Sequence, residues 1–128
     1  MITRHQLREE VIKLLYNVEF MNVSIIEAKE SVDKVDIESV EVATKVLESL
    51  PKIDSIIEAN LTNYSLNRLN AVDRAIIRLA VYEMLNKEAV TIVINEALEL
   101  TREYTDLGDK KAIRFNNRLL DTISKNLK

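Results

Sequence analysis

The sequence has no cysteine, one glycine, one proline and one histidine among its 128 residues. Without cysteine the chain cannot form disulfides, thiolate metal sites or thiol nucleophiles. A phosphate-binding loop or a dinucleotide-binding turn requires several glycines, and only Gly108 is present. His5 alone offers little for metal binding or imidazole catalysis. We therefore expect no cofactor, no metal and no catalytic site.

Long apolar runs are also absent. There is no stretch of 18 apolar residues and no basic start followed by an apolar segment, so we predict neither a transmembrane helix nor a signal peptide. With 47% hydrophobic and 30% charged residues, the chain is long enough to bury roughly two thirds of its unfolded surface. We expect a single domain over residues 1–128, in a cytoplasmic protein without membrane contact.

The scarcity of glycine and proline predicts an all-α fold, because the tight turns that link strands use both residues. Hydrophobic periodicity indicates seven helices, with caps at Thr3, Asn70 and Thr91. Their predicted ranges are about 4–20, 24–32, 36–49, 51–61, 70–85, 92–104 and 109–126.

The fifth predicted helix, NAVDRAIIRLAVYEML, is apolar around most of its circumference. At about 100° per residue, Asp73, Arg74 and Arg78 fall within about 140° of one another. This pattern predicts a central helix packed on several sides, whose one polar window faces solvent or a partner. Glu83 lies away from that window and needs an ion pair or a hydrogen bond if it is buried.

Two clusters of basic residues stand out against a net charge of −3, which itself argues against nonspecific nucleic-acid binding. In the last predicted helix, four cations fall within about 60° of one another: Lys111, Arg114, Arg118 and Lys125. Phe115 lies at the edge of this stripe, where an aromatic ring could stack on a base. The alternative interpretation is a solvated basic face with Phe115 turned partly inward.

The first predicted helix carries the other basic cluster. Arg4 and Arg8 fall on the same side as Val11 and Leu15, so we expect the arginines to project over the end of the helix bundle. His5 lies beside them and can donate a hydrogen bond to a phosphate or a base edge.

Four segments together carry a resemblance that none shows alone. They are TRHQLREEVIKLLY, LNRLNAVDRAIIRLAVYEML, VINEALEL and RFNNRLLD. In this order, and over nearly the whole chain, they resemble the family of the transcription antitermination factor NusB. The resemblance implies seven helices in two small packed bundles that form one compact domain.

The implied function is binding of the boxA element of nascent RNA together with NusE, a ribosomal protein of the small subunit. The pair would join an antitermination complex on RNA polymerase and support ribosomal RNA transcription. On this interpretation the protein is not an enzyme, and we expect a monomer or a weak homodimer.

The resemblance also assigns residues. Tyr16 and Asp73, with Arg74 beside it, match the side of the family that faces NusE. For RNA we expect one composite surface, where the start of the first helix meets the start of the last, formed by Arg4, His5, Arg8, Lys111, Arg114 and Phe115.

The sequence departs from the family pattern at several of these places. His5 and Gln6 stand where arginines are usual, so the N-terminal motif has fewer cations. Asn116 replaces a usual valine on the apolar face and must find a hydrogen-bond partner there. Since burial of a polar group is costly, we expect valine at this position to be neutral or stabilising.

Two other interpretations stay open. The thinned arginine motif permits a helical protein-interaction module with weak or lost RNA binding. NusB-like domains also precede RNA methyltransferase domains, so the chain could be an enzyme or an appendage of one. The end of the sequence at Lys128 leaves no room for a catalytic domain and favours the antitermination factor.

Overall fold

Seven α-helices are present in the computed structural model, which describes residues 2–127. A 3₁₀ turn at Leu66–Arg68 precedes the fifth helix, and the described residues include no strand. None of these helices is both long and apolar enough to cross a membrane. The all-α prediction is confirmed, with α1 at Arg4–Met21, α2 at Ile25–Glu30, α3 at Ile37–Glu48, α4 at Leu50–Asn60, α5 at Ala71–Leu85, α6 at Val90–Tyr104 and α7 at Lys111–Asn126.

Capping side chains set where several helices begin. The Thr3 hydroxyl accepts a hydrogen bond from the Gln6 backbone N–H at 3.0 Å, and the Gln6 side chain accepts one from the Thr3 N–H at 2.9 Å. The Asn70 side chain accepts a hydrogen bond from the backbone N–H two residues later, at the start of α5. These two predicted caps are confirmed. The predicted cap at Thr91 is wrong, because α6 begins earlier, after Ala89, and Thr91 already lies in its first turn.

Helix α5 is the central element of the fold. It packs against α1 and α3, which contact each other, and against α4, α6 and α7, of which α7 contacts both others, so it joins two small helix groups. This arrangement confirms the expected central helix. Its buried residues are Ala75, Ile76, Ile77, Leu79, Ala80, Val81, Glu83 and Met84.

The polar side of α5 is covered by its neighbours. The guanidinium groups of Arg74 and Arg78 both contact the carboxylate of Glu19 on α1. Arg78 also donates two hydrogen bonds of 2.9 Å to Asp54 on α4. The hydrogen bond from Arg74 holds the pKa of Glu19 below its usual value. The polar window of α5 was expected to face solvent or a partner, but at Arg74 and Arg78 it faces carboxylates of α1 and α4, which leave 13% of each arginine side chain exposed.

Arg8 lies inside the fold and does not project from its end. Only 4% of its side chain is exposed, and its Nε donates to both carboxylate oxygens of Glu83, at 3.0 and 3.2 Å. Its terminal nitrogens lie 3.4 Å from Glu96 and 3.7 Å from Glu88. The predicted position of Arg8 is thus wrong, while the prediction that a buried Glu83 is paired is confirmed. Burial raises the pKa of Glu83, and the charge of Arg8 opposes that shift.

We expect Arg8→Ala to lower the free energy of unfolding by about 3–5 kcal/mol, because the substitution leaves the buried Glu83 carboxylate without its cation. Arg4→Ala is the matched control. Arg4 is on the same helix, its side chain is 58% exposed, and its exposed ion pairs are worth about 0–1 kcal/mol. Urea denaturation of both variants measures the difference, and equal small losses would contradict the structural role of Arg8.

Candidate nucleic-acid interface

Arg4 is the exposed cation of the N-terminal basic cluster. One terminal nitrogen lies 3.3 Å from Glu38 at the start of α3, and the other lies 3.6 Å from Glu88 in the turn after α5. These contacts leave most of the side chain exposed, so Arg4 can reach a phosphate. Of the three N-terminal residues assigned to RNA, Arg4 alone is exposed.

His5 faces carboxylates. Its Nδ1 lies 3.2 Å from Glu96, and its Nε2 lies 2.8 Å from Glu103 and 4.0 Å from Glu9. Partial burial lowers the pKa of His5, but the hydrogen bonds to Glu96 and Glu103 and the nearby negative charges outweigh it, so the pKa is raised. The Tyr104 hydroxyl donates to Glu9, and the burial of that hydroxyl together with this hydrogen bond raises the pKa of Tyr104 to about 12. The surface around His5 is therefore acidic.

Two aspartates organise the start of α7. Lys110 adopts a left-handed conformation with φ of 62°, and its N–H donates to the Asp106 carboxylate at 3.0 Å. The Asp109 carboxylate accepts from the Lys111 N–H, also at 3.0 Å. The helix thus begins at Lys111, two residues later than predicted, because the side chain of Asp109 satisfies its first N–H. Lys111 and Arg114 follow on the exposed side of the helix.

Phe115 belongs to an aromatic pair. Its ring is 38% exposed and lies 5.5 Å from the ring of Tyr64, with the planes tilted by 55°. The Arg68 guanidinium carbon lies 5.1 Å from the centre of the Tyr64 ring, within cation–π range. Phe115 lies between core and solvent as predicted, and its exposed edge shares a groove with Tyr64, Arg68 and Lys111.

Sequence reasoning missed Tyr64 and Arg68. They lie in the irregular connection between α4 and α5, where no hydrophobic periodicity reveals which way a side chain points. The one signal available was an aromatic residue set among polar residues, in the stretch TNYS.

A buried polar network lies behind the aromatic pair. The Asn116 side chain is 1% exposed, and its amide donates to the Asp73 carboxylate at 3.1 Å and to the Thr101 hydroxyl at 3.0 Å. The Thr105 hydroxyl also donates to Asp73, at 2.7 Å. The prediction of a buried, partnered Asn116 is confirmed. Asp73, expected to face a protein partner, is half-buried and accepts hydrogen bonds from Thr105, directly after α6, and from Asn116 of α7.

No hydrogen bond or ion pair joins the two basic clusters, or any other residues of α1 and α7, in the part of the chain that the structure describes. The C-terminal end of α6 lies between them: Glu103 and Tyr104 contact α1, whereas Thr101 contacts α7 and Thr105 contacts α5. α6 thus contacts both helices, and the joining of the two clusters into one RNA surface stays a prediction.

Tyr16 presents a second aromatic surface. Its ring stacks on Phe20, with centroids 5.3 Å apart and planes 10° apart. Phe20 is 71% exposed, whereas Tyr16 is half-buried beside a groove that includes Val72 and Tyr104. Of the three residues assigned to the protein partner, Tyr16 is partly exposed and lies beside the exposed ring of Phe20. The Arg74 side chain instead points toward α1, where it pairs with Glu19.

Comparisons with known proteins agree with this fold. The family model described as NusB family matches residues 5–125. The chain belongs to the NusB family. The transcription antitermination protein NusB of Bacillus pumilus (strain SAFR-032) is 36% identical over 130 residues, covering 98% of this chain and 97% of that protein.

Solved structures of the family share the architecture. NusB of T. maritima has a TM-score of 0.81 and 33% identity, over 97% of this chain and 92% of that one. A crystal structure of the antitermination factors NusB and NusE in complex with double-stranded RNA has a TM-score of 0.78 and 25% identity, over 98% of this chain and 99% of that one. The resemblance seen in the sequence is confirmed.

The polar network reverses the expectation for valine at position 116. We expect Asn116→Val to lower the free energy of unfolding by roughly 1–3 kcal/mol, because the half-buried Asp73 loses one of its two donors. Asn117→Val makes the same chemical change at the next, exposed position of α7 and should have little effect. Thermal and urea denaturation of both variants test this, and equal stability of the two would show that the network contributes nothing.

Proposed function

We propose that this protein is a transcription antitermination factor that binds boxA-type RNA together with NusE in an RNA polymerase antitermination complex, and so supports ribosomal RNA transcription. Membership in the NusB family over nearly the whole chain carries the proposal, supported by the fold shared with a NusB–NusE complex on RNA. The protein works by binding, without catalysis or a cofactor, in the cytoplasm as a monomer or weak homodimer.

The RNA surface of this proposal centres on the start of α7. Lys111 and Arg114 are exposed cations that neutralise phosphates. The pair of Phe115 and Tyr64 offers aromatic faces on which an unpaired base can stack, and Arg68 adds a cation beside them.

The N-terminal cluster contributes less directly. Arg4 is exposed and reaches RNA as a separate contact. Arg8 acts as a positioning residue, since its guanidinium holds α1 against the buried Glu83 of α5. A direct contact of His5 with RNA stays a prediction that requires its release from Glu103.

A requirement for NusE follows from the charge distribution. The protein carries a net charge of −3, and Glu9, Glu96 and Glu103 surround His5, the residue next to Arg4. Phosphates are repelled there, so RNA binding by the isolated protein should be weak. NusE supplies further contacts, and the stacked rings of Tyr16 and Phe20 form a surface of the kind that anchors protein interfaces.

One observation favours the second candidate function, a protein-interaction module without RNA binding. Arg8 and His5, two of the three N-terminal RNA residues, are engaged by carboxylates. Titration of boxA-containing RNA with and without NusE separates the two functions. RNA binding that appears or strengthens with NusE supports the antitermination factor, whereas NusE binding without RNA binding supports the alternative.

Cations at the two ends of α7 provide a matched test of the RNA surface. Arg114→Ala should weaken the NusE-assisted RNA complex and reduce the dependence of log Kd on log salt by about one unit, because it removes a phosphate contact. Lys125→Ala removes an exposed cation from the other end of the same helix and should change neither quantity. The measurement is RNA binding at several salt concentrations, and equal behaviour of the variants would move the RNA site away from the start of α7.

Phe115→Ala should act differently from the loss of a cation. If a base stacks on this ring, the variant loses roughly 1–3 kcal/mol of RNA binding with little change in salt dependence. Because the ring is partly buried, circular dichroism must accompany the RNA titration. A folded Phe115→Ala variant with unchanged RNA affinity would argue against stacking here.

The protein-partner surface has its own test. Phe20→Ala should weaken NusE binding by more than about 1 kcal/mol, since exposed aromatic anchors dominate interface energies, and should leave folding intact because the ring is 71% exposed. Ile37→Ala removes an equally exposed apolar side chain, 72% accessible, at the start of α3. Calorimetric titration with NusE should detect a loss for Phe20→Ala alone; a similar affinity in both variants would place the NusE surface elsewhere.

A further inference from the structure

His5 and two carboxylates converge where the start of α1 crosses the end of α6. His5 and Glu9 are one turn apart on the same face of α1, and Glu103 reaches them from α6. One ligand atom from each residue lies within 4.8 Å of the other two. We propose that His5, Glu9 and Glu103 bind a divalent cation of the zinc class. The cation holds α1 against α6, independently of any RNA or protein partner.

The charges of this cluster are unbalanced without a cation. Among the described residues, His5 is the sole positively chargeable group within 4.0 Å of the carboxylates of Glu9 and Glu103. Glu96, the third carboxylate near His5, has Arg8 as a second partner. Two carboxylates therefore share one imidazole. A divalent cation bound by a neutral imidazole compensates both negative charges.

Neighbouring side chains orient two of the three ligands. Glu96 lies 3.2 Å from Nδ1 of His5, close enough to accept a hydrogen bond from the Nδ1–H of a neutral imidazole. When a cation replaces the Nε2 proton that Glu103 now accepts, Nε2 faces Glu9 and Glu103 as a ligand. The Tyr104 hydroxyl donates to Oε2 of Glu9 and leaves Oε1 as the oxygen that faces His5. A carboxylate behind the histidine and a hydrogen-bonded ligating carboxylate are common around protein metal ions.

The donor set selects the kind of metal. An imidazole nitrogen with two carboxylates suits zinc, whereas magnesium and calcium prefer oxygen ligands alone. Nε2 lies 2.8 Å from Glu103, so the two side chains move slightly apart to admit an ion at the usual distance of about 2.0–2.2 Å. The ligand side chains are 25–38% exposed, which leaves them reachable by an ion and free to adjust. A fourth position remains for water.

This site revises the expectation of no metal drawn from the single histidine. That expectation considered the number of histidines and not their surroundings. Glu103 lies 98 positions from His5 in the sequence, so the spacing of ligands along the chain gives no motif. Only the crossing of α1 and α6 brings the three side chains together.

Zinc titration of the full-length protein tests the proposal. Calorimetry should show one Zn²⁺ per chain, and bound Zn²⁺ should raise Tm because it stabilises the folded state. Glu103→Gln and His5→Gln should each weaken zinc binding at least tenfold. Glu99→Gln is the control, since Glu99 is an exposed carboxylate of α6 that pairs with Arg102 and is not one of the three grouped ligands. Absence of saturable binding, or equal binding by all three variants, would overturn the proposal.

A second measurement does not depend on the variants' folding. His5 is the one histidine of the chain, so its imidazole NMR signals are unambiguous in the unmodified protein. Zn²⁺ should shift them in proportion to the calorimetric saturation, and the same concentration of Mg²⁺ should leave them in place. Zinc binding without a shift of the His5 signals would locate the ion elsewhere and overturn the assignment.

Discussion

The buried contact between Arg8 and Glu83 is the interaction on which the arrangement of the other helices depends. Both side chains are almost fully covered, so neither can lose its partner without a large cost. At the other end of α1, Glu19 contacts Arg74. The two contacts are about 16 Å apart along α1 and about 14 Å apart along α5 at 1.5 Å per residue. They therefore fix the two helices side by side and antiparallel, and α5 carries that orientation to α4, α6 and α7.

This pairing also explains how the resemblance misassigned Arg8. The helical wheel of α1 placed Arg8 on the same side as Val11 and Leu15, both of which are buried. The helical wheel of α5 placed Glu83 away from the polar window, where it needs a partner if it is buried. A buried cation and a buried anion on two helices that pack together predict each other, because each is unstable alone. The helical pattern of the sequence thus indicated that Arg8 is buried, whereas the resemblance to the family motif suggested that it contacts RNA.

Features within one helix were predictable, and contacts between helices mostly were not. Periodicity and capping chemistry located all seven helices, the central role of α5 and the need of Asn116 for a partner, since each depends on residues close in sequence. The carboxylates around His5 and the pairing of Tyr64 with Phe115 depend on how helices and loops pack. Local sequence patterns do not show how helices pack against one another. The sequence therefore gave no indication that the acidic end of α6 contacts α1 beside the N-terminal basic cluster.

The position of α6 limits which RNA can bind both basic clusters of the proposed surface. Glu103 and Tyr104 at the end of α6 contact His5 and Glu9 of α1, so RNA that extends beyond Arg4 toward this end of α6 meets carboxylates that repel phosphate. Each basic cluster alone is a weak site, and two weak sites act together only when one chain spans both. The polar contacts of α6 with α1 and α7 hold the two clusters at a fixed separation. An RNA chain must therefore be able to bridge that distance to bind both clusters at once. A flexible single strand meets that condition more readily than a stiff duplex, because it can arch over the acidic end of α6 while its unpaired bases reach the aromatic pair.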